Sequence, residues 1–230
     1  MAAGQARRER LNRERGLTAA VTLADEVGID ALSMRRLAET LDVVPMALYK
    51  HVRNKEELLD GMVETVIGEI DAPLRDVEWK GAVRHRVLAA RRVLLRHPWA
   101  RRVFETRTAK TPAVLDYMDS FIGMFLAGGF SVDLTHHVMH AIGGRMWGFT
   151  QEIFDDSGAD APPAMPPEVQ AAMLQQMAQR YPNILAMATF GHDDDSVVGG
   201  GCDDQFEFEF ALDTLLDGFE RLHAQGWKSR

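Results

Sequence analysis

Apolar residues in this chain recur every three to four positions almost from end to end, and that period admits helices and little else. Leu17, Ala20, Val21, Ala24 and Val27 fall on one helical face, and the run stops at Gly28, a residue suited to a helix C-terminus. Ser33 is placed to cap a short second helix carrying Arg35, Arg36, Leu37, Ala38 and Leu41; the third residue on is Arg36, so the full capping box is missing. Asp42-Val43-Val44 reads as a turn into Pro45 at a first-turn position, with Met46 to Lys50 as a third short helix. Asn54 followed by Glu57 resembles a capping box, and Leu59, Met62, Val63, Val66 and Ile70 then predict a long fourth helix. The same pattern predicts helices over 79–96, 99–106, 112–127, 131–154 and 203–225, with Gly128-Gly129 separating two of them. Strand-like alternation bounded by turns appears nowhere convincingly, so the expected fold class is all-α.

Charge divides the chain unevenly. Residues 1–60 carry ten Lys/Arg and ten Asp/Glu, whereas residues 61–230 hold sixteen and twenty-four, the whole of the net −8. A phosphate-binding surface is therefore expected in the N-terminal part, where the arm 1–15 has five Arg and where Lys50, Arg53 and Lys55 cluster. Asp155–Pro167 and Gly191–Asp204, rich in Asp, Gly and Pro, read as surface loops; Val197 to Cys202 lacks the Lys-Ser/Thr of a phosphate loop. A single cysteine fits a reducing compartment, the Arg-broken first fifteen residues hold no secretory signal, and no window approaches the ~20 apolar residues of a membrane span. A cytoplasmic protein with no membrane partner is the expectation.

A helix, a tight turn and a second helix within 33–50, followed by basic residues, is the layout of a helix-turn-helix reader of DNA. Pro45, Met46 and Ala47 are small or apolar enough to touch thymine methyls; Tyr49, His51 and Lys55 can reach phosphates, and Arg35 a phosphate or a guanine edge. A small three-helix bundle with ordinary surface charges would show the same spacing. The residues themselves go further: LNRERGLTAAVTLADEVGIDALSMRRLAETLDVVPMALYKHVRNKEELLD (11–60) resembles the DNA-binding domain of the tetracycline-repressor (TetR) family. LLRHPWARRVF (94–104) and LAGGFSVDLTHHVMHAIGGRMWGFTQE (126–152) are similar to the core of that family's tetracycline-binding ligand domain.

The resemblance implies a helix-turn-helix domain over 1–60 and a helical ligand-binding and dimerisation domain over 61–230. It implies a homodimer that binds double-stranded operator DNA and responds to a small-molecule effector. DNA contacts would fall on Ser33, Met34, Arg35, Pro45, Met46, Ala47, Tyr49, Lys50, His51 and Lys55. Where tetracycline repressors read bases with glutamine, proline and threonine, this chain has Pro45, Met46 and Ala47, so a different operator is expected. Ligand contacts would fall on Arg86, Ala90, Phe104, Met118, Phe121, Ile122, His136, Met139, Gly143 and Trp147, a lining for an apolar or aromatic molecule, anionic if Arg86 points inward. Phe104 stands where the family's tetracycline-binding members ligate magnesium through histidine, and a phenyl ring cannot do so.

Two further features remain open at this level. The last helix carries Phe206, Phe208, Phe210, Leu212, Leu215, Leu216, Phe219 and Leu222, an apolar surface too wide for one buried stripe and therefore expected to meet a second subunit. His136, His137 and His140 invite a metal or enzymatic reading, with Glu152 on the same segment. The segment lacks an H-E-x-x-H sequence, and neither a nucleophile nor a cofactor motif accompanies it, so pocket or core histidines are expected and neither catalysis nor a cofactor. An activator, or a regulator without a ligand, would share the sequence pattern of a repressor.

Overall fold

The computed structural model describes residues 10–107, 110–147, 166–188 and 204–229. Its described residues contain helices and turns and no strand, as the periodicity predicts. They fall into two compact units, one within Met1–Gly148 and Leu212–Arg230, the other within Phe149–Ala211. The N-terminal arm, Glu152 and the loop around Cys202 lie outside the described residues.

The first unit opens with α1 (Arg13–Val27), capped by Asn12, whose side chain accepts from Arg15 N at 2.7 Å. It ends where predicted, at Gly28, whose φ of 80° suits a residue without Cβ. A single 3₁₀ turn, Ile29–Ala31, leads to α2 (Met34–Thr40), which Ser33 caps by accepting from Arg36 N at 3.2 Å. Asp42, at φ 52°, makes the turn into α3 (Pro45–Leu48), which stops two residues short of the expected Lys50. α4 (Lys55–Gly68) is capped by Asn54, which accepts from Glu57 N at 2.8 Å. The reciprocal arm of the box is shifted by one residue: the Glu57 carboxylate accepts from Arg53 N at 2.7 Å and from Arg53 Nε at 3.0 Å, which lowers its pKa.

One apolar cluster joins the headpiece to the helices after it. Leu17, Ala20, Leu37 and Leu48 of the first three helices are buried with Leu58, Met62, Val63 and Val66 of α4, and with Val93, Trp99 and Val103 further along the chain. α1 and α4 approach so closely that a Cβ on Gly61 would stand 2.5 Å from Leu17 Cδ2. The rest of the unit is α5 (Trp79–Arg96), α6 (Ala100–Thr106), α7 (Pro112–Ala127) and α8 (Val132–Trp147). Gly129, at φ 85°, makes the turn between α7 and α8. The end of the last helix also belongs to this unit: Leu212, Leu216 and Phe219 are buried, Lys80 pairs with Asp217 and Glu220 at 2.6 and 2.7 Å, and His223 stacks on Phe130 at 4.3 Å. In the second unit α9 (Pro167–Arg180) and α10 (Pro182–Ala188) are helices that the sequence pattern does not announce. The final helix, α11 (Asp204–Ala224), matches the expected 203–225 within a residue.

A buried histidine ties three segments of the first unit together. His97, at the end of α5, shares Nδ1 with Asp25 of α1 at 2.8 Å and Nε2 with Glu69, just past α4, at 3.1 Å. Trp99 Nε1 donates to the same Asp25 at 2.6 Å, and Arg96 pairs with Glu69 at 3.0 Å. Burial pushes the imidazole pKa down, but the hydrogen bonds and charges of Asp25 and Glu69 outweigh it, and the net shift is upward from 6.5. A histidine with a raised folded-state pKa stabilises fully below its unfolded pKa, and loses that contribution as pH rises through the folded-state value. Thermal unfolding should therefore show the wild type exceeding His97→Gln by about 1–3 kcal/mol at pH 6, with the gap closing towards pH 9. A gap that is constant with pH would assign His97 a packing role only.

Candidate functional site

The first candidate surface is the helix-turn-helix. Val44 and Met46 are 67% and 70% exposed, and Tyr49 is exposed beside them. Large apolar side chains left in solvent at the start of a four-residue helix are placed to meet an apolar feature of a partner, and a thymine methyl is one. Of the sequence-predicted DNA contacts, Ser33, Arg35, Pro45, Met46, Tyr49, Lys50 and Lys55 are exposed, and Met34, Ala47 and His51 are half-buried. Three of them also have duties within the fold. Met34 packs against the core cluster, the Ser33 hydroxyl caps α2, and Lys55 Nζ donates to the Leu32 carbonyl at 2.9 Å. The Ser33 hydroxyl proton and two of the three Lys55 protons remain for phosphate. Arg35 pairs with Glu39 at 3.0 Å, an exposed pair weak enough to exchange for a nucleic-acid partner.

The second is a cavity of about 690 Å³ inside the same unit, the size of small-molecule sites. α4 supplies Val66 and Ile67, with Ile70 just beyond it; α5 supplies Val87, Ala90, Val93 and Leu94; α6 supplies Phe104. Tyr117, Met118, Phe121 and Ile122 of α7 and His136, Met139, His140 and Gly143 of α8 complete the main walls. Eight of the ten ligand positions drawn from the resemblance thus line one cavity: Ala90, Phe104, Met118, Phe121, Ile122, His136, Met139 and Gly143. Sequence reasoning missed the contribution of α4 and of Tyr117; their three-to-four spacing was legible only as core. The side chain of Trp147 lies outside the described residues.

Arg86 is the correction. It does not line the cavity, although the resemblance places it there. Its guanidinium, 6% exposed, donates from Nη1 to the carbonyls of Ile70 and Asp71 beyond α4 and lies 4.5 Å from the centroid of the Tyr117 ring. The physical reason is acceptor supply: carbonyls past a helix end are free to accept, whereas the aliphatic walls offer nothing to a guanidinium. Burial pushes the Tyr117 hydroxyl up, with Arg86 opposing, so the phenol at the cavity wall stays protonated. The expectation of an anionic ligand held by an inward Arg86 fails with that placement.

Magnesium, the ion of the family's tetracycline-binding members, does not fit these residues. Phe104 offers no donor, the Glu105 carboxylate is paired with Arg101 at 3.0 Å, and no cluster of three His, Cys, Asp or Glu side chains among the described residues could hold a metal. Of the three histidines, His136 and His140 lie side by side at the cavity wall, with ring centroids 4.7 Å apart. His137 is absent from the cavity lining; its ring lies edge-on to His136 at 5.2 Å and to Trp227 at 5.3 Å.

An exposed helix-turn-helix, joined through one shared helix to a cavity of small-molecule size, defines a DNA-binding regulator with a ligand pocket. Comparisons with known proteins agree. A family model described as "Bacterial regulatory proteins, tetR family" matches residues 17–62, and "Tetracyclin repressor-like, C-terminal domain" matches residues 72–223. The HTH-type transcriptional repressor DrrR1 of Streptomyces coeruleorubidus is 30% identical over 94% of this chain and 79% of its own length. The class D tetracycline repressor protein of Escherichia coli is 28% identical over 90% and 93%. Among solved structures, a possible TetR family transcriptional regulator from Streptomyces coelicolor A3(2) aligns with a TM-score of 0.67 at 28% identity, covering 92% of this chain and 100% of that one. The S. coelicolor TetR family protein ActR, solved in complex with actinorhodin, shares the fold with a TM-score of 0.71 at 24% identity, over 97% and 100%. The chain belongs to the TetR family of bacterial regulatory proteins, which are ligand-responsive, DNA-binding transcriptional repressors and not enzymes.

Tetracycline with and without Mg²⁺, followed by its fluorescence on titration with the protein, should show no saturable magnesium-dependent binding. Such binding would mean that other donors replace the missing histidine.

Proposed function

We propose that this chain acts in the cytoplasm as a homodimeric repressor that leaves a palindromic operator when a largely apolar or aromatic molecule fills the cavity. The observation that carries this reading is α4. Its C-terminal half contributes Val66 and Ile67 to the cavity, while Leu58, Met62 and Val63 are buried with the headpiece core, and Lys55 holds the Leu32 carbonyl ahead of α2. A ligand that bears on one end of this helix bears on the DNA-reading end as well. A second strap runs beside it: Phe104 lines the cavity, and three residues on, Arg107 pairs with Glu56 and Asp60 of α4 at 2.5 and 3.0 Å.

Two copies would present two α3 helices about one DNA turn apart, ~34–36 Å, matching a two-fold operator. Phe206 and Phe210 of α11 are 63% and 62% exposed, in keeping with a helix that meets a second subunit. Switching requires that the effector bind the two arrangements of α4 with different affinity. Pro45, Met46, Ala47 and Arg35 would read bases, with Ser33, Met34, Tyr49, Lys50, His51 and Lys55 orienting the headpiece on phosphates.

The test is binding of the purified protein to DNA from its own upstream region across a salt series. Specific binding in the nanomolar range or tighter, with a steep negative salt slope, is expected, and Met46→Ala should weaken it by about 1 kcal/mol or more. A folded helical dimer with no specific binding at low salt to that DNA, or to any member of a randomised duplex library, would refute the reading.

A further inference from the structure

The cavity wall is apolar except at a few places, and most of these are already engaged. The Thr135 hydroxyl donates to the Ser131 carbonyl at 2.8 Å and the Glu105 carboxylate holds Arg101, while the exposed Lys110 gives one of its three Nζ protons to the Arg107 carbonyl at 3.3 Å. Arg86, which could have supplied a positive charge, is committed to the carbonyls beyond α4. His136 and His140 differ from all of these. They stand one turn apart on the cavity face of α8 with ring planes at 73°, both exposed, and no protein group among the described residues takes their ring nitrogens.

We propose that His136 and His140 form the specificity-determining subsite of the cavity, and that they receive an acidic oxygen, a carboxylate or an ionised phenol or enol, carried by an otherwise aromatic effector. Each imidazole presents at least one N–H in either protonation state, so two adjacent rings offer two donors to a single acceptor group. A neutral apolar ligand covering these exposed rings would instead displace their hydrating water without replacing its hydrogen bonds, at a cost. A metal ion fits less well, since these residues supply a pair and no third ligand joins them among the described residues. The inference rests on the cavity being the effector site, and it names the chemistry of that effector.

Two fluorescent probes that differ by one acidic group test it on the full-length protein: 1-anilinonaphthalene-8-sulfonate and the uncharged N-phenyl-1-naphthylamine. The anionic probe should bind the wild type about tenfold or more tightly than the neutral one, and each should displace the other competitively. In the double variant His136→Leu, His140→Leu the anionic probe should lose that advantage while the neutral probe binds at least as well, which also shows that the cavity has kept its fold. Equal affinities in the wild type, an advantage that survives in the double variant, or probes that fail to compete would overturn the subsite while leaving the cavity as an effector site. Failure of both probes to bind the wild type would overturn the cavity reading itself.

Discussion

The packing of α4 is the constraint on which the rest of the first unit depends. A helix–turn–helix of two short helices, seven and four residues long, has too little apolar surface to hold its geometry alone. Leu37 and Leu48 become fully buried because α1 and α4 close over them, and Gly61 is the small residue that lets α1 come within reach. The same helix then runs on into the ligand cavity. On the proposed function, reading DNA and sensing a molecule are two consequences of burying one helix on two of its faces.

The end of α4 gathers polar contacts that the apolar core cannot provide. Glu69, Ile70 and Asp71 are held by His97, Arg96, Arg86 and Arg92, from a helix packed behind the cavity. Arg86 Nη1 serves the Ile70 and Asp71 carbonyls while its Nε stays buried without a partner, and His97, Arg96 and Arg92 bond the Glu69 and Asp71 carboxylates. Asp25 extends the network into α1 through His97 and Trp99. The junction between headpiece and ligand core is thus specified by directional bonds, whereas apolar packing alone would tolerate slippage.

Much of this was legible in the residues. Gly28, Ser33, Pro45 and Asn54 mark helix boundaries through local chemistry, a missing Cβ, a capping oxygen or a fixed φ, and they act there irrespective of what the helices pack against. Where local signals gave out, so did the reading. α3 stops at Leu48 rather than Lys50 because the chain must turn back towards α4: His51 N and Val52 N both bond the Leu48 carbonyl, and Val52 is buried in the core. α9 and α10 lie between proline-rich and glycine-rich stretches whose composition hides the helices they flank.

Sequence alone determined the helical class and most helix boundaries, because helical period and caps are encoded within a few neighbours along the chain; the eight cavity residues it named came through the family resemblance. Tertiary structure decided which of the polar side chains named in advance face the cavity. Arg86 and His136 are both polar residues that the family resemblance places at the ligand site. Only packing shows that Arg86 is drawn to the unpaired carbonyls beyond α4 while His136 and His140 are left at the wall. A buried charge goes where acceptors are, and the position of acceptors from a distant segment is not written in the residues around it.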